Sequence, residues 1–186
     1  MVALTSLWLS IVLSAVLVFA ASSIVHMVLK WHQTDWSKLP GEEAALEALH
    51  KTGVKPGDYF FPHAPSLQAA GEPEMIAKMK RGPVGIVTVM PSGAPAMGKQ
   101  LGQWFVYLLA VGVAVAYLTS RTVGAGAEYL QVFRVAGTTA FLAYAGAEPV
   151  VSIWFKRSWS TTLKNVIDGF VYALLTAGAF AGFWPE

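Results

Sequence analysis

Three of the ionisable side chains inside largely apolar stretches could share one site: His26, Glu148 and Asp168. An ionisable group within a membrane helix is costly and marks a position that is either functional or tightly bonded. One imidazole and two carboxylates can relay protons, hold a cation, or lock helix register through hydrogen bonds. A relay needs groups that titrate, whereas a structural knot needs only donors and acceptors within reach. All three residues map near one membrane interface, where side chains can snorkel. Lys164, one turn before Asp168, also offers that carboxylate an ion pair. A structural polar cluster is therefore the expectation, with a proton relay or cation site as the alternative.

Other chemistries find less support. Ser22, one turn before His26, could make room for a flat macrocycle over the imidazole, giving a cofactor subunit centred on His26. A second histidine at matching depth is needed, and His32, His50 and His63 map to the interface or to a polar insert. The four histidines could take a metal with Asp35 or Asp58, but no HxH or HExxH spacing is present. No metal and no cofactor are expected. The chain has no cysteine, which excludes disulfides, thiolate metal sites and Cys nucleophiles, and no Ser-His-Asp set stands out. Gly93-Ala94-Pro95-Ala96-Met97-Gly98-Lys99 has the spacing of a phosphate-binding loop, yet Gln100 replaces the Ser or Thr that would hold Mg²⁺. A net charge of +2 without a basic aromatic patch gives no reason to expect nucleic acid. Neither nucleotide nor nucleic acid is an expected partner, and the chain reads as a non-enzyme.

The elements that must position the three groups are membrane helices. Of 186 residues, 55% are hydrophobic and 13% charged, the latter about half of the ~25% usual in soluble domains. Most charges lie in Lys30–Gln100. Spanning ~30 Å of hydrocarbon takes roughly 20 apolar residues, and four stretches qualify: 3–29, 101–120, 129–155 and 163–184. The first lacks the basic n-region of a signal peptide and its apolar run is too long, so it reads as a retained helix. The third carries Arg134, Glu148 and Pro149; Arg134 should snorkel or meet Glu128. The fold class is thus an all-α membrane protein with four transmembrane helices. A small α+β insert, residues 30–100, lies between helices 1 and 2.

Basic residues near the span ends set orientation. Lys30, Lys38, Lys99, Lys156, Arg157 and Lys164 all fall on one side if both termini are external and residues 30–100 are cytoplasmic. Trp31, Trp104, Trp154 and Trp159 then mark the inner interface, and Trp8, Trp184, Tyr117 and Tyr129 the outer. Small residues allow close helix approach in lipid. Gly169, Ala173, Ala177 and Ala181, with Gly178 and Gly182, face the Ala136, Ala140, Ala143 and Ala147 series in a predicted antiparallel hairpin. The insert holds eight of the ten prolines, so only short elements fit there. Helices are predicted after Pro40-Gly41-Glu42-Glu43 through His50 and over Pro73–Arg81, and strands over Asp58–Phe61 and Gly85–Met90.

The pattern His26…Trp31-His32…Asp35, Pro56-Gly57-Asp58-Tyr59…Pro62 and Asp168-Gly169…Tyr172…Trp184-Pro185 resembles small multi-pass proteins of bacterial inner membranes. That resemblance covers most of the chain and implies a compartment, the inner (plasma) membrane, without an activity. The expected function is an accessory, assembly or scaffold component bound to the bilayer and to other membrane subunits or to itself. A small proton- or cation-coupled transporter using His26, Glu148 and Asp168 is the alternative.

Overall fold

A computed structural model describes residues 2–94 and 96–186; Pro95, inside the Gly93–Lys99 stretch, lies outside the described residues. The chain divides into two compact units, Met1–Ser37 with Ala96–Glu186, and Lys38–Pro95. Helix accounts for 68% of residues and the sheet has two strands, so the fold is helical with a small β element.

Three helices in the larger unit are long and apolar enough to cross a membrane: Leu4–Val28, Gly98–Thr122 and Trp159–Gly182. The first consists of a 3-10 turn Leu4–Leu7, α1 (Trp8–Ser23) and a π turn Ile24–Val28. Gly98–Thr122 is α5 and Trp159–Gly182 is α8. The predicted third span, 129–155, is not one helix. It is divided into α6 (Tyr129–Ala145) and α7 (Glu148–Phe155). Pro149 is the reason: it has no N–H to donate, and its ring collides with the preceding turn. The helix therefore stops and restarts with Pro149 in the first turn of α7. The 17 residues of α6 reach only about 26 Å at 1.5 Å per residue.

In α6, Val132, Ala136 and Ala140 are buried at successive i+4 steps, and in α8 Ala173, Ala177 and Ala181 are buried likewise. A Cβ on Gly137 would lie 3.1 Å from Ala177 Cβ, and one on Gly169 would lie 2.9 Å from Ala145 Cβ. As residue numbers rise in α6 they fall in α8, so the two helices run antiparallel at near backbone contact. Gly178 lies 3.9 Å by the same measure from the Tyr129 hydroxyl, while Gly182 has open space around it. The α6 stripe departs from the predicted spacing after Ala140. Ala143 and Ala147 are exposed, Ala145 is buried instead, and the Ala143 carbonyl accepts a hydrogen bond from the Tyr107 hydroxyl at 3.1 Å. Thus Ala143 turns toward α5, and Ala147 falls in the break before Pro149. On the other side of the unit, Gly112 of α5 meets Ile11 of α1, and the Trp104 indole donates to the Ser22 hydroxyl at 3.0 Å. Trp104 is therefore a partly buried helix tie, whereas Trp8, Trp31, Trp154 and Trp159 are exposed.

In the smaller unit, α2 (Glu42–Lys51) carries acids in its first turn and basic residues in its last, as the helix dipole favours. After β1 (Gly57–Phe61) come a single turn, α3 (Leu67–Ala70), then α4 (Pro73–Arg81) and β2 (Gly85–Val89). The strands pair antiparallel with Gly57 opposite Val89 and Phe61 opposite Gly85. A two-stranded antiparallel ribbon leading toward an apolar helix is not the parallel-sheet setting of a phosphate-binding loop.

Ala177→Leu should lower the thermal midpoint in detergent, since overpacking a close contact costs about 1–3 kcal/mol. Leu174→Phe, at an exposed position of the same helix, should be milder. Equal effects in a thermal-shift assay would place the α6–α8 contact elsewhere.

Candidate functional site

The site lies where α1 finishes and α8 begins. The π turn Ile24–Val28 carries His26 and ends at Leu29, whose extended backbone (φ −80, ψ 136) breaks the helix. A 3-10 turn, Lys30–His32, follows. Such π turns recur at functional positions because they displace side chains from regular helical register. Here the His26 and His32 rings are stacked, with centroids 4.5 Å apart and planes 29° apart.

His32 is the hub. Its Nδ1 lies 2.5 Å from Asp35 Oδ2 and its Nε2 lies 2.6 Å from Asp168 Oδ2 of α8. Lys164 Nζ donates to Asp35 Oδ1 at 2.7 Å and to Thr34 Oγ1 at 2.8 Å. The Thr161 hydroxyl donates to the same Asp35 oxygen at 3.3 Å. Side-chain exposures are 14% for His32, 5% for Asp35 and 9% for Asp168, so water competes little for these bonds. Burial pushes the Asp35 carboxyl up, but the hydrogen bonds and charges of Lys164 and His32 outweigh it and hold it down at about 2. Asp35 is therefore an anion throughout the neutral range. A neutral imidazole has a single N–H. At His32 both ring nitrogens are engaged by carboxylates.

Beside this hub is an open cavity of about 490 Å³. His26, His32, Asp35, Glu148, Arg157 and Asp168 supply its polar wall, and Trp104, Tyr107, Tyr144 and Tyr172 its aromatic wall. Glu148 Oε2 accepts from Asn165 Nδ2 at 2.6 Å. The Ser152 and Thr162 hydroxyls, 2.5 Å apart, join α7 to α8 and hold Glu148 over the cavity. Two polar groups on its wall stand out among the described residues. The buried Tyr172 hydroxyl makes no hydrogen bond. His26 contacts the network by ring stacking, with no hydrogen bond to its nitrogens among the described residues. Even so, one ligand atom each from His26, His32 and Asp168 lie within 4.8 Å of one another.

His26, Glu148 and Asp168, singled out in the sequence, thus line one cavity, with His26 and Asp168 grouped around His32 and Glu148 held apart on Asn165. Lys164 pairs with Asp35, not with Asp168; the returning chain brings a second carboxylate nearer to the ammonium than the one a turn away. Arg134 is exposed along an apolar groove with Phe133 and Phe141, and among the described residues no ion pair links it to Glu128. His32 and Asp35 carry most of the site and were assigned to the insert. Their i, i+3 spacing directly after a span was the available signal. A haem between two histidines does not fit, because stacked rings leave no space for iron between them, and the Ser22 hydroxyl is occupied by Trp104.

No family model, curated protein or solved structure matches the chain.

Asp35→Ala strands Lys164 and one nitrogen of His32 in a poorly hydrated site, which should cost about 1–3 kcal/mol for an unmade buried bond. The thermal midpoint should fall, and protease cleavage within residues 30–37 should accelerate. Unchanged cleavage would mean that Asp35 does not hold this segment against α8.

Proposed function

We propose that the chain is a four-span integral membrane protein and a non-enzymatic accessory component that holds a cation in the cavity beside His32. The observation that carries the cation is His26. Its imidazole, exposed and outside the hydrogen-bonded network, stacks on the hub and borders the same space as Asp168. Three carboxylates, Asp35, Glu148 and Asp168, share the wall with Arg157, and Lys164 is the other fixed cation in reach. That leaves one formal negative charge, which a bound cation would offset. The second reading, a structural scaffold, is favoured by the closed set of bonds among His32, Asp35 and Lys164. The two are compatible, because the same bonds that fix the loop also pre-form the cavity.

In this proposal α6 and α7 together make the third of four crossings, with both termini external and the insert cytoplasmic in a plasma membrane. The clustering of Lys30, Lys38, Lys99, Lys156, Arg157 and Lys164 at one end supports that orientation. Reporter fusions after Gly53 and after Arg157 should then behave as cytoplasmic and one after Gly124 as external. A cytoplasmic signal at Gly124 would overturn it.

Cation binding is read from the thermal midpoint of the purified chain in Na⁺, K⁺, Mg²⁺, Ca²⁺ and Zn²⁺ chlorides. At least one should stabilise saturably, by about 2.7 kcal/mol at a hundred times its dissociation constant, and Glu148→Gln or His26→Gln should weaken the shift. No stabilisation by any of them contradicts the cation role and leaves the scaffold.

A further inference from the structure

Resting on the cation role above, we infer that His26, His32 and Asp168 form a site for one divalent transition-metal ion of the zinc type, with Asp35 orienting His32 and an open coordination position facing the cavity. The donor set selects the class. Two imidazoles and one carboxylate suit zinc and its first-row neighbours, whereas Mg²⁺ and Ca²⁺ take oxygen ligands. Three protein ligands leave a fourth position for water or a small ligand, and here the space beside them is the 490 Å³ cavity.

The geometry agrees. An ion about 2.0–2.1 Å from each ligand in a tetrahedron separates ligand atoms by about 3.3 Å. The three atoms lie within 4.8 Å of one another, with His32 Nε2 and Asp168 Oδ2 2.6 Å apart. Closing the site takes a rotation of His26 out of its stack on His32, which breaks no hydrogen bond among the described residues. The surroundings of His32 point the same way. Metal-bound imidazoles characteristically donate their other N–H to a carboxylate, which fixes tautomer and ring orientation. Asp35 accepts from Nδ1 at 2.5 Å and is itself held by Lys164 and Thr161. That leaves Nε2 facing Asp168, with the His26 ring stacked on the same imidazole. The three ligands come from a π turn, a 3-10 turn and α8, so the ion would also join the returning loop to the helix.

The experiment uses the full chain purified in detergent with a tag free of histidine, stripped by chelator and titrated with Zn²⁺ against a chromophoric competitor, then loaded with Co²⁺. One equivalent of Zn²⁺ and visible d–d bands of low-coordinate cobalt are expected. His26→Gln, at an exposed side chain without hydrogen bonds, should fold normally and lose both. Asp35→Asn should weaken zinc binding by about 10–100-fold, and His63→Gln, in the other compact unit, should change nothing. Stoichiometric binding that survives His26→Gln overturns the site. Binding of Mg²⁺ or Na⁺ but not Zn²⁺ overturns the metal class while leaving the cation role standing. Failure of every ion removes both.

Discussion

An imidazole has two nitrogens, and at His32 both face carboxylates brought from distant parts of the chain. Asp35 comes from the turn that His32 itself begins; Asp168 lies 136 residues away on α8. Everything at this end of the helices follows from that double engagement. It ties the segment after α1 to α8, places the rings of His26 and His32 together, and sets Asp35 where Lys164 can reach it. Removing one member leaves the others poorly hydrated and unpaired. That asymmetry makes such networks expensive to break even where their net contribution to stability is small.

The network is positioned by helices that approach closely for a different reason. Lipid gives helices little hydrophobic incentive to associate, so contact depends on small side chains and complementary shape. Gly137 against Ala177 and Gly169 against Ala145 bring α6 and α8 together. Because Gly169 directly follows Asp168, that close approach also determines how deep the carboxylate sits. Pro149 then interrupts the helix and starts α7, with Glu148 at its first residue and its bond to Asn165 reaching back to α8. One break in one helix thus supplies a wall of the cavity.

Much of this is written in local sequence. Apolar length predicts the helices at 4–28, 98–122 and 159–182 to within a few residues, and turn residues with charged ends predict α2 and α4. Over 129–155 hydropathy does not register the break between α6 and α7, because composition averages across Pro149 while backbone bonding does not. Hydropathy was misleading over Lys30–Ser37. Those residues are polar enough to be assigned to the insert, yet they fold with the helices. His32, Thr34 and Asp35 find their partners on α8, which spacing along the chain cannot reveal. The same blindness hid the choice of Lys164 between two carboxylates.

The central claim is that His32 bridges Asp35 and Asp168. Solid-state NMR of metal-free protein in lipid bilayers, with nitrogen-labelled histidine and carbon-labelled aspartate, tests it directly. Through-space contacts from the two His32 ring nitrogens should reach two different carboxyl carbons, one lost in Asp35→Asn and the other in Asp168→Asn. A His32 ring that shows contact to water alone, as expected for a surface histidine, would contradict the account.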